Sequence, residues 1–408
     1  MLIVQKYGGS SVADAGKIMN VAKKITDAYG QGRKLVVVLS AQGDTTDELY
    51  AKAREISRDA SRRELDALVT TGELQSAALM AIAVHKLGYP AISLNASQAG
   101  INATSAYGSA RIKKIDPERI AGELERNNIV IVAGFQGINK YGDMTALGRG
   151  ASDTTAVALA AVLNADCCEI YTDVDGVYTA DPRVVKNARR IPSISFDEML
   201  ELASLGAQVL HNRAVEMAKR YRVKLVVRSS MTDGEGTLVC SGEGRDKTVE
   251  KTFVSGLAVD KSIARIALVG LIDRPGIAYQ IFALLAKEKI SVDIILQSIG
   301  REETKDISFT VAKNDLEKTL EALEAGRDKI GFGSISHDDN IAKLSVVGAG
   351  MASNPGVAAK MFEALYDCGV NISMISTSEI KISVLIDAKD ADRAANAVHD
   401  KFMVEMEG

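Results

Sequence analysis

Three short stretches hold side chains suited to managing negative charge. The first is Lys6-Tyr7-Gly8-Gly9-Ser10-Ser11, which closes the apolar run LIVQKY at 2–7. A lysine at a strand end, then glycines, then a helix start, suits a phosphate: bare backbone N–H groups approach the anion and the lysine adds a full charge. A Gly-Gly turn before a helix also serves as a plain turn, and the phosphate loop G-x-x-x-x-G-K-S/T is absent. The second stretch is TALGRGASDTTA, Thr145–Ala156. Gly148 and Gly150 flank Arg149, whose planar fork can grip a carboxylate with two hydrogen bonds. Ser152 sits where it is expected to cap the following helix. The third stretch, TDVDGVYTADPR from Thr172 to Arg183, follows a buried strand and so belongs at the carboxyl edge of a sheet, where open α/β folds bind ligands. Its aspartates suggest a divalent cation, yet the spacing lacks the glycine and terminal glutamate of a calcium loop.

Other features carry less. Gly348-Ala349-Gly350 has a serine in place of the third glycine of a dinucleotide fingerprint. Glu73, following Thr70-Thr71-Gly72, reads as a solvated acid compensating a helix dipole. Four cysteines and four histidines show neither metal-ligand spacing nor a disulfide framework, so no metal site is expected and the thiols read as reduced. A net charge of −4, no tryptophan and 5% aromatics argue against a nucleic-acid binder. The longest unbroken apolar runs, Ala77–Val84 and Ala156–Leu163, are far short of the about 20 residues of a bilayer span. With no signal peptide at the start, the expected location is cytoplasmic.

These stretches need a scaffold. At about 150 residues per domain, 408 residues imply two to three domains. Buried strands at 2–7, 35–41, 91–95, 129–135, 168–172 and 224–228 alternate with helices, among them one long helix from about Glu64 to Leu87 and an Ala-rich one from Ser152 to Leu163. Apolar strands between helices mean a sheet covered on both faces. The turn-rich segment 232–248 marks a domain boundary. Beyond it the chain repeats itself: Pro275, Gly276, Phe282 and Leu285 recur 80 residues later as Pro355, Gly356, Phe362 and Leu365. Each copy reads strand, Pro-Gly turn, helix, strand, with 307–312 and 382–388 as third strands, which is half of a βαββαβ module twice over.

Taken together, Lys6–Ser10, Ser40-Ala41 with Gly43–Glu48, Thr71-Gly72-Glu73, Gly134–Gly137, Leu147–Ala156 and Thr172–Arg183 resemble, in order, the motifs of the aspartokinase family. The repeats, including Gln297 and Ile375–Ile380, resemble its two C-terminal ACT domains, and the length resembles the monofunctional bacterial type. The resemblance covers essentially the whole chain. It implies a three-layer α/β/α amino acid kinase-like sandwich over 1–240, then 241–262 as linker and first strand of the regulatory region, and two ferredoxin-like ACT domains at 263–335 and 341–408. The implied reaction moves the γ-phosphoryl group of ATP, which carries Mg2+ mainly on its phosphates, to the β-carboxylate of L-aspartate. The product, 4-phospho-L-aspartate, opens lysine, threonine, methionine and diaminopimelate biosynthesis. Lysine and/or threonine become expected allosteric inhibitors, and paired ACT units imply a homodimer or higher oligomer.

Carried over onto matching positions, Lys6, Arg149 and Asp153 are the expected catalytic residues. Lys6, Tyr7, Gly8, Gly9, Ser10, Ser40, Thr172, Asp173, Tyr178 and Arg183 would hold ATP. Thr45, Thr46, Asp47, Glu73, Arg149, Gly150, Ser152 and Asp153 would hold aspartate, with Glu73 on its α-amino group. Effectors would meet Asp273, Ala278, Ser291, Val292, Asp293 and Gln297 in the first repeat, and Val357, Ala358, Asn371, Ile372, Ser378 and Glu379 in the second. Two positions depart from the family pattern. Ala151 stands where glycine is common, which is compatible only without positive φ, and Gln208 stands where several relatives carry lysine. Another carboxylate kinase of the same fold and a non-catalytic amino-acid sensor are the competing readings. Glu73 and the paired repeats argue against the former, and the retained Lys6, Arg149 and Asp153 against the latter.

Overall fold

The computed structural model describes residues 1–148, 150–205, 209–241, 254–298, 304–349, 351, 354 and 356–403. Two compact units divide the chain: Met1–Thr179 with Arg189–Val249, and Ala180–Ala188 with Glu250–Gly408.

The first unit is built on an eight-stranded sheet in the order Ser193–Ser195, Thr237–Cys240, Leu225–Ser229, Cys167–Thr172, Leu2–Tyr7, Lys34–Leu39, Ile129–Ala133, Ala91–Leu94. The last six run parallel, and the two at the far edge run against them. Parallel strands need helical crossovers, and these cover both faces. On one face Ile18, Val21 and Ile25 of helix Ala15–Gly30 and Met80 and Val84 of helix Thr71–Lys86 interleave with Ile3, Tyr7, Leu35, Val37 and Leu39. Helix Ala151–Val162 packs on the central strands and against helix Asn212–Tyr221. Sheet order reverses beside Leu2–Tyr7: Lys34–Leu39 lies on one side and Cys167–Thr172 on the other. That switch point opens a crevice at the strands' carboxyl ends.

Two local features differ from expectation. The single helix from about Glu64 to Leu87 is two, Arg62–Val69 and Thr71–Lys86. At the break the Thr70 hydroxyl donates to the Asp66 carbonyl at 2.8 Å, and Gln136 Nε2 donates to the Thr70 carbonyl at 2.5 Å. Within the combined run, the 25 residues Arg62–Lys86, an 18-residue window reaches a mean hydropathy of 1.4, long and apolar enough by those measures to cross a membrane, which the unbroken-run criterion overlooked. Ala77, Met80 and Val84 nevertheless lie in the core under the sheet. The other unexpected feature is a small sheet of Ile112–Ile115, Ile101–Ala103, Gln136–Ile138 and Met144–Ala146.

The second unit holds two four-stranded sheets, as the repeat predicts. One has the order Val292–Gln297, Thr304–Ala312, Ile263–Ile272, Ser334–Asp338; the other Gly256–Asp260, Ile341–Val347, Lys381–Asp387, Met374–Thr377. The matched helix positions are buried alike, Ile281 and Leu285 in one core, Met361 and Leu365 in the other. The repeats are not contiguous, however. Gly256–Asp260, ahead of the first repeat, pairs with Ile341–Val347 of the second. Ser334–Asp338 closes the first sheet beside Ile263–Ile272. Ala180 and Val185 are buried in the second repeat's core, so residues 180–188 leave the 1–240 span.

Candidate active site

Strand register brings the expected residues to one sheet edge. Tyr7 aligns with Leu39 and Tyr171, and Leu39 with Ala133, so Gly8, Ser40, Gly134 and Thr172 all emerge at the carboxyl ends of neighbouring strands. Lys6 alternates to the face opposite Tyr7. There its Nζ lies 2.8 Å from Asp153 Oδ1, both side chains being almost buried. Asp153 sits in the first turn of helix Ala151–Val162, and its Oδ2 accepts the His211 backbone N–H at 3.3 Å. A buried carboxylate requires such partners. His211 was not singled out in the sequence. Burial lowers the pKa of its imidazole, while Asp153 pulls the other way.

The cap of that helix differs from expectation. Gly150, not Ser152, occupies the cap position, with φ +69°, and Ser152 is the second helical residue, buried against Gly134. A Cβ on Gly150 would lie 2.5 Å from His211 Cδ2, so both backbone angle and space demand glycine. A Cβ on Gly134 would come within 2.8 Å of Ser152 Oγ and 2.9 Å of the Leu39 carbonyl. Between Gly134 and the buried Gln136, Phe135 is held at φ +65°, a strained state for a bulky residue of the kind that collects at functional sites. Ala151 has helical backbone and a buried side chain, so its Cβ is accommodated. Arg149 and Gln208 lie outside the described residues.

On the donor side, Gly9–Val12 forms one 3₁₀ turn. The Gly8 N–H is not available to a phosphate, since it donates to the Tyr171 carbonyl at 3.3 Å. The amides of Gly9 and Ser10 open the turn. Tyr7 is fully buried, its ring stacked on Tyr171 with centroids 4.5 Å apart, so only its backbone faces this edge. Thr172 donates to Asp173 at 3.0 Å, and Tyr178 donates to Asp175 at 2.7 Å, which raises the phenol's pKa. Ser230, which sequence reasoning missed, is buried. It donates to the Thr172 carbonyl at 3.1 Å and accepts from Ser11 at 2.8 Å, tying the third stretch to the first. Its signal was a serine at the end of the neighbouring strand, Leu225–Ser229. Arg183 belongs to the second unit, where it is 86% exposed and pairs with Asp181 at 2.7 Å.

Glu73 overturns its first reading. Far from solvated, it is 3% exposed in the first turn of helix Thr71–Lys86. Oε1 accepts the Ala41 N–H at 3.3 Å, and Oε2 is buried with no hydrogen-bond partner among the described residues. Burial pushes its pKa up to about 7. The Ala41 loop also meets the phosphate turn, because the Gly43 N–H donates to the Gly9 carbonyl at 3.1 Å. Thr45 and Thr46 are half-buried and Asp47 exposed at the start of helix Thr45–Ile56. One crevice therefore collects a lysine, a helix start and an acid with no cation partner among the described residues.

In the second unit, two of the acids expected to receive an effector already hold lysines: Asp273 pairs with Lys305 at 2.8 Å and Asp293 with the buried Lys343 at 2.5 Å. Val357 is buried in the core, whereas Ser291, Gln297, Asn371, Ser378 and Glu379 are exposed. Ala278, Val292, Ala358 and Ile372 are half-buried, packed against the two repeat cores.

An α/β sandwich with this crevice, followed by paired βαββαβ modules, is the architecture of an amino acid kinase with tandem ACT-like modules. Residues 1–229 match the amino acid kinase family, and 266–326 and 344–402 match the ACT domain. The aspartokinase of Mycolicibacterium smegmatis is 49% identical over 404 residues, spanning 98% of this chain and 96% of its own. E. coli aspartokinase III in complex with aspartate and ADP (R-state) is similar at TM-score 0.82 and 26% identity, over 99% of this chain and 100% of that one. The same enzyme in complex with lysine and aspartate (T-state) gives 0.76 and 26%, over 98% and 99%. The chain belongs to the aspartokinase family and is an aspartate kinase.

Proposed function

We propose that the chain transfers the γ-phosphoryl group of ATP to the β-carboxylate of L-aspartate, yielding 4-phospho-L-aspartate for lysine, threonine, methionine and diaminopimelate synthesis. The observation that carries this reading is Glu73: a buried carboxylate oxygen without a partner is a berth for a free α-ammonium group. An N-acetylated acceptor has no ammonium to offer it. The acceptor carboxylate, with a pKa near 4, is already ionised at neutral pH and needs no general base. The protein's work is to bring two anions together and neutralise the moving phosphoryl group. Lys6 and the Gly9 and Ser10 amides supply that on the donor side, with Ser40, Thr172, Asp173 and Tyr178 along the nucleotide. Thr45, Thr46, Asp47, Arg149, Gly150, Ser152 and Asp153 form the acceptor side with Glu73. Magnesium enters as part of the substrate MgATP.

Lysine and/or threonine bind the ACT repeats as inhibitors, the repeats pair between two copies of the chain, and the enzyme works in the cytoplasm. Support for regulation comes from the E. coli relative crystallised with lysine. The test is a hydroxamate assay with ATP, magnesium and L-aspartate. Aspartyl hydroxamate is expected; none at all, or equal yield from N-acetylglutamate, sinks the proposal.

A further inference from the structure

Two charged side chains hold the backbone that leads into the proposed acceptor side. Asp66, 1% exposed on helix Arg62–Val69, accepts two backbone N–H groups on one oxygen: Gly108 at 2.9 Å and Ala146 at 2.9 Å. Arg213, on helix Asn212–Tyr221, donates to two carbonyls: Leu147 at 2.6 Å and Ala110 at 3.4 Å. Both residues therefore grip the same two segments, 108–110 and 146–147, one by its amides and the other by its carbonyls. The segments are joined directly as well, the Ala110 N–H donating to the Ala146 carbonyl at 2.9 Å, while the Leu147 N–H donates to the carbonyl of the strained Phe135 at 2.8 Å. Residue 147 leads straight into Gly148, Gly150 and the helix start carrying Ser152 and Asp153. Neighbouring His211 holds the far end of that turn through Asp153.

We infer that Asp66 and Arg213 are positioning residues which fix the backbone entering the acceptor side, so that they tune aspartate binding and leave ATP binding alone. The chemistry favours the reading. Half-buried arginine loses hydration, and with Arg111 nearby its pKa falls; the carboxyl of Asp66 is pushed up by burial against its two amide bonds. Charges so placed cost stability unless their hydrogen bonds are fully used. Here they are spent on one backbone bridge that leads to the site. Displacement of a substrate-holding group by about 1 Å can cost on the order of 100-fold in rate.

This inference rests on the acceptor-side assignment, so the experiment separates the two. Asp66→Ala, Asp66→Asn, Arg213→Met and Arg213→Lys are compared with Glu73→Gln for KM of aspartate, KM of ATP, kcat and urea midpoint. Asp66→Ala and Arg213→Met should each raise KM for aspartate tenfold or more, with KM for ATP within twofold. Asp66→Asn keeps the acceptor oxygen and Arg213→Lys keeps one donor, so both should show intermediate rises. If a truncation fails to fold, these conservative variants decide. Parallel rises in both KM values, or lost stability with unchanged KM, overturn the positioning role. If Glu73→Gln leaves KM for aspartate unchanged, the acceptor-side assignment itself is wrong.

Discussion

Glu73→Gln should weaken the enzyme's hold on aspartate while making the free enzyme more stable. The carboxyl is 3% exposed, takes one N–H from Ala41 at 3.3 Å and has one oxygen unpartnered. Its pKa rises from 4.5 to about 7 through burial. The sign follows from linkage. Between those values the unfolded chain gives up the proton and the folded chain keeps it, so stability present below pH 4.5 is lost as pH rises through 7. That rise, at 1.36 kcal/mol per tenfold change in proton affinity, costs about 3 kcal/mol above pH 7. Glutamine removes that cost. With aspartate bound the balance reverses: losing one partner of a buried ion pair costs about 3–5 kcal/mol, and an amide recovers about 1 kcal/mol by hydrogen bonding. KM for aspartate should rise on the order of 30- to 1000-fold. Urea unfolding at pH 5.5 and 8.0 gives the first effect, with the variant's advantage larger at the higher pH. Calorimetry of aspartate binding at pH 7, in buffers of different ionisation enthalpy, gives a second handle: an arriving ammonium should expel roughly half a proton from the wild type and none from the variant. A stability advantage over the wild type no larger at pH 8.0 than at 5.5, together with no proton release, would refute the reasoning.

Other outcomes follow from the same geometry. Lys6→Ala removes the cation 2.8 Å from Asp153 and should reduce kcat on the order of 1000-fold or more, with calorimetric binding of lysine or threonine unchanged; loss of both would mean misfolding. Gly150→Ala should lower activity at least tenfold, because φ +69° and the His211 ring at 2.5 Å both oppose a Cβ, whereas Ala151→Gly should leave turnover within a few-fold. Lys343→Met frees Asp293 for an incoming ammonium and should tighten effector binding several-fold, read as a lower inhibitor concentration at half effect; unchanged inhibition would place the effector elsewhere.

Much of the scaffold was legible because both faces of its sheet are covered. Strands such as Ile129–Ala133 are apolar at every residue, a pattern visible without partners. The small sheet of Ile101–Ala103, Ile112–Ile115, Gln136–Ile138 and Met144–Ala146 was not, since three or four residues carry no period. The break at Thr70 was hidden because a distant side chain, Gln136, takes its carbonyl. Exchange of Gly256–Asp260 into the second repeat's sheet leaves no local trace either, because the strand reads the same whichever neighbour it joins. At the site, Lys6 and Gly150 stood out by type and spacing, and Asp153 only through the family resemblance. Glu73 misled, for a helix-start acid reads as solvated until the loop at Ala41 is seen to cover it. His211, Ser230, Asp66 and Arg213 act through backbone groups far away in sequence, which no spacing encodes.

The acids also divide by what neutralises them. Asp153, Asp273 and Asp293 each have a lysine within 2.8 Å, whereas Glu73 has none. An amino acid arriving at Glu73 therefore adds an ion pair that the protein lacks. An amino acid arriving at Asp273 or Asp293 must first displace Lys305 or Lys343, and it gains only the difference between two ammonium groups. On the proposed effector positions, discrimination rests mainly on the rest of the effector: its carboxylate at the helix starts after Gly276 and Gly356, and its side chain against half-buried Ala278, Val292, Ala358 and Ile372. On the proposed assignments, substrate recognition draws on charge, and effector recognition on shape.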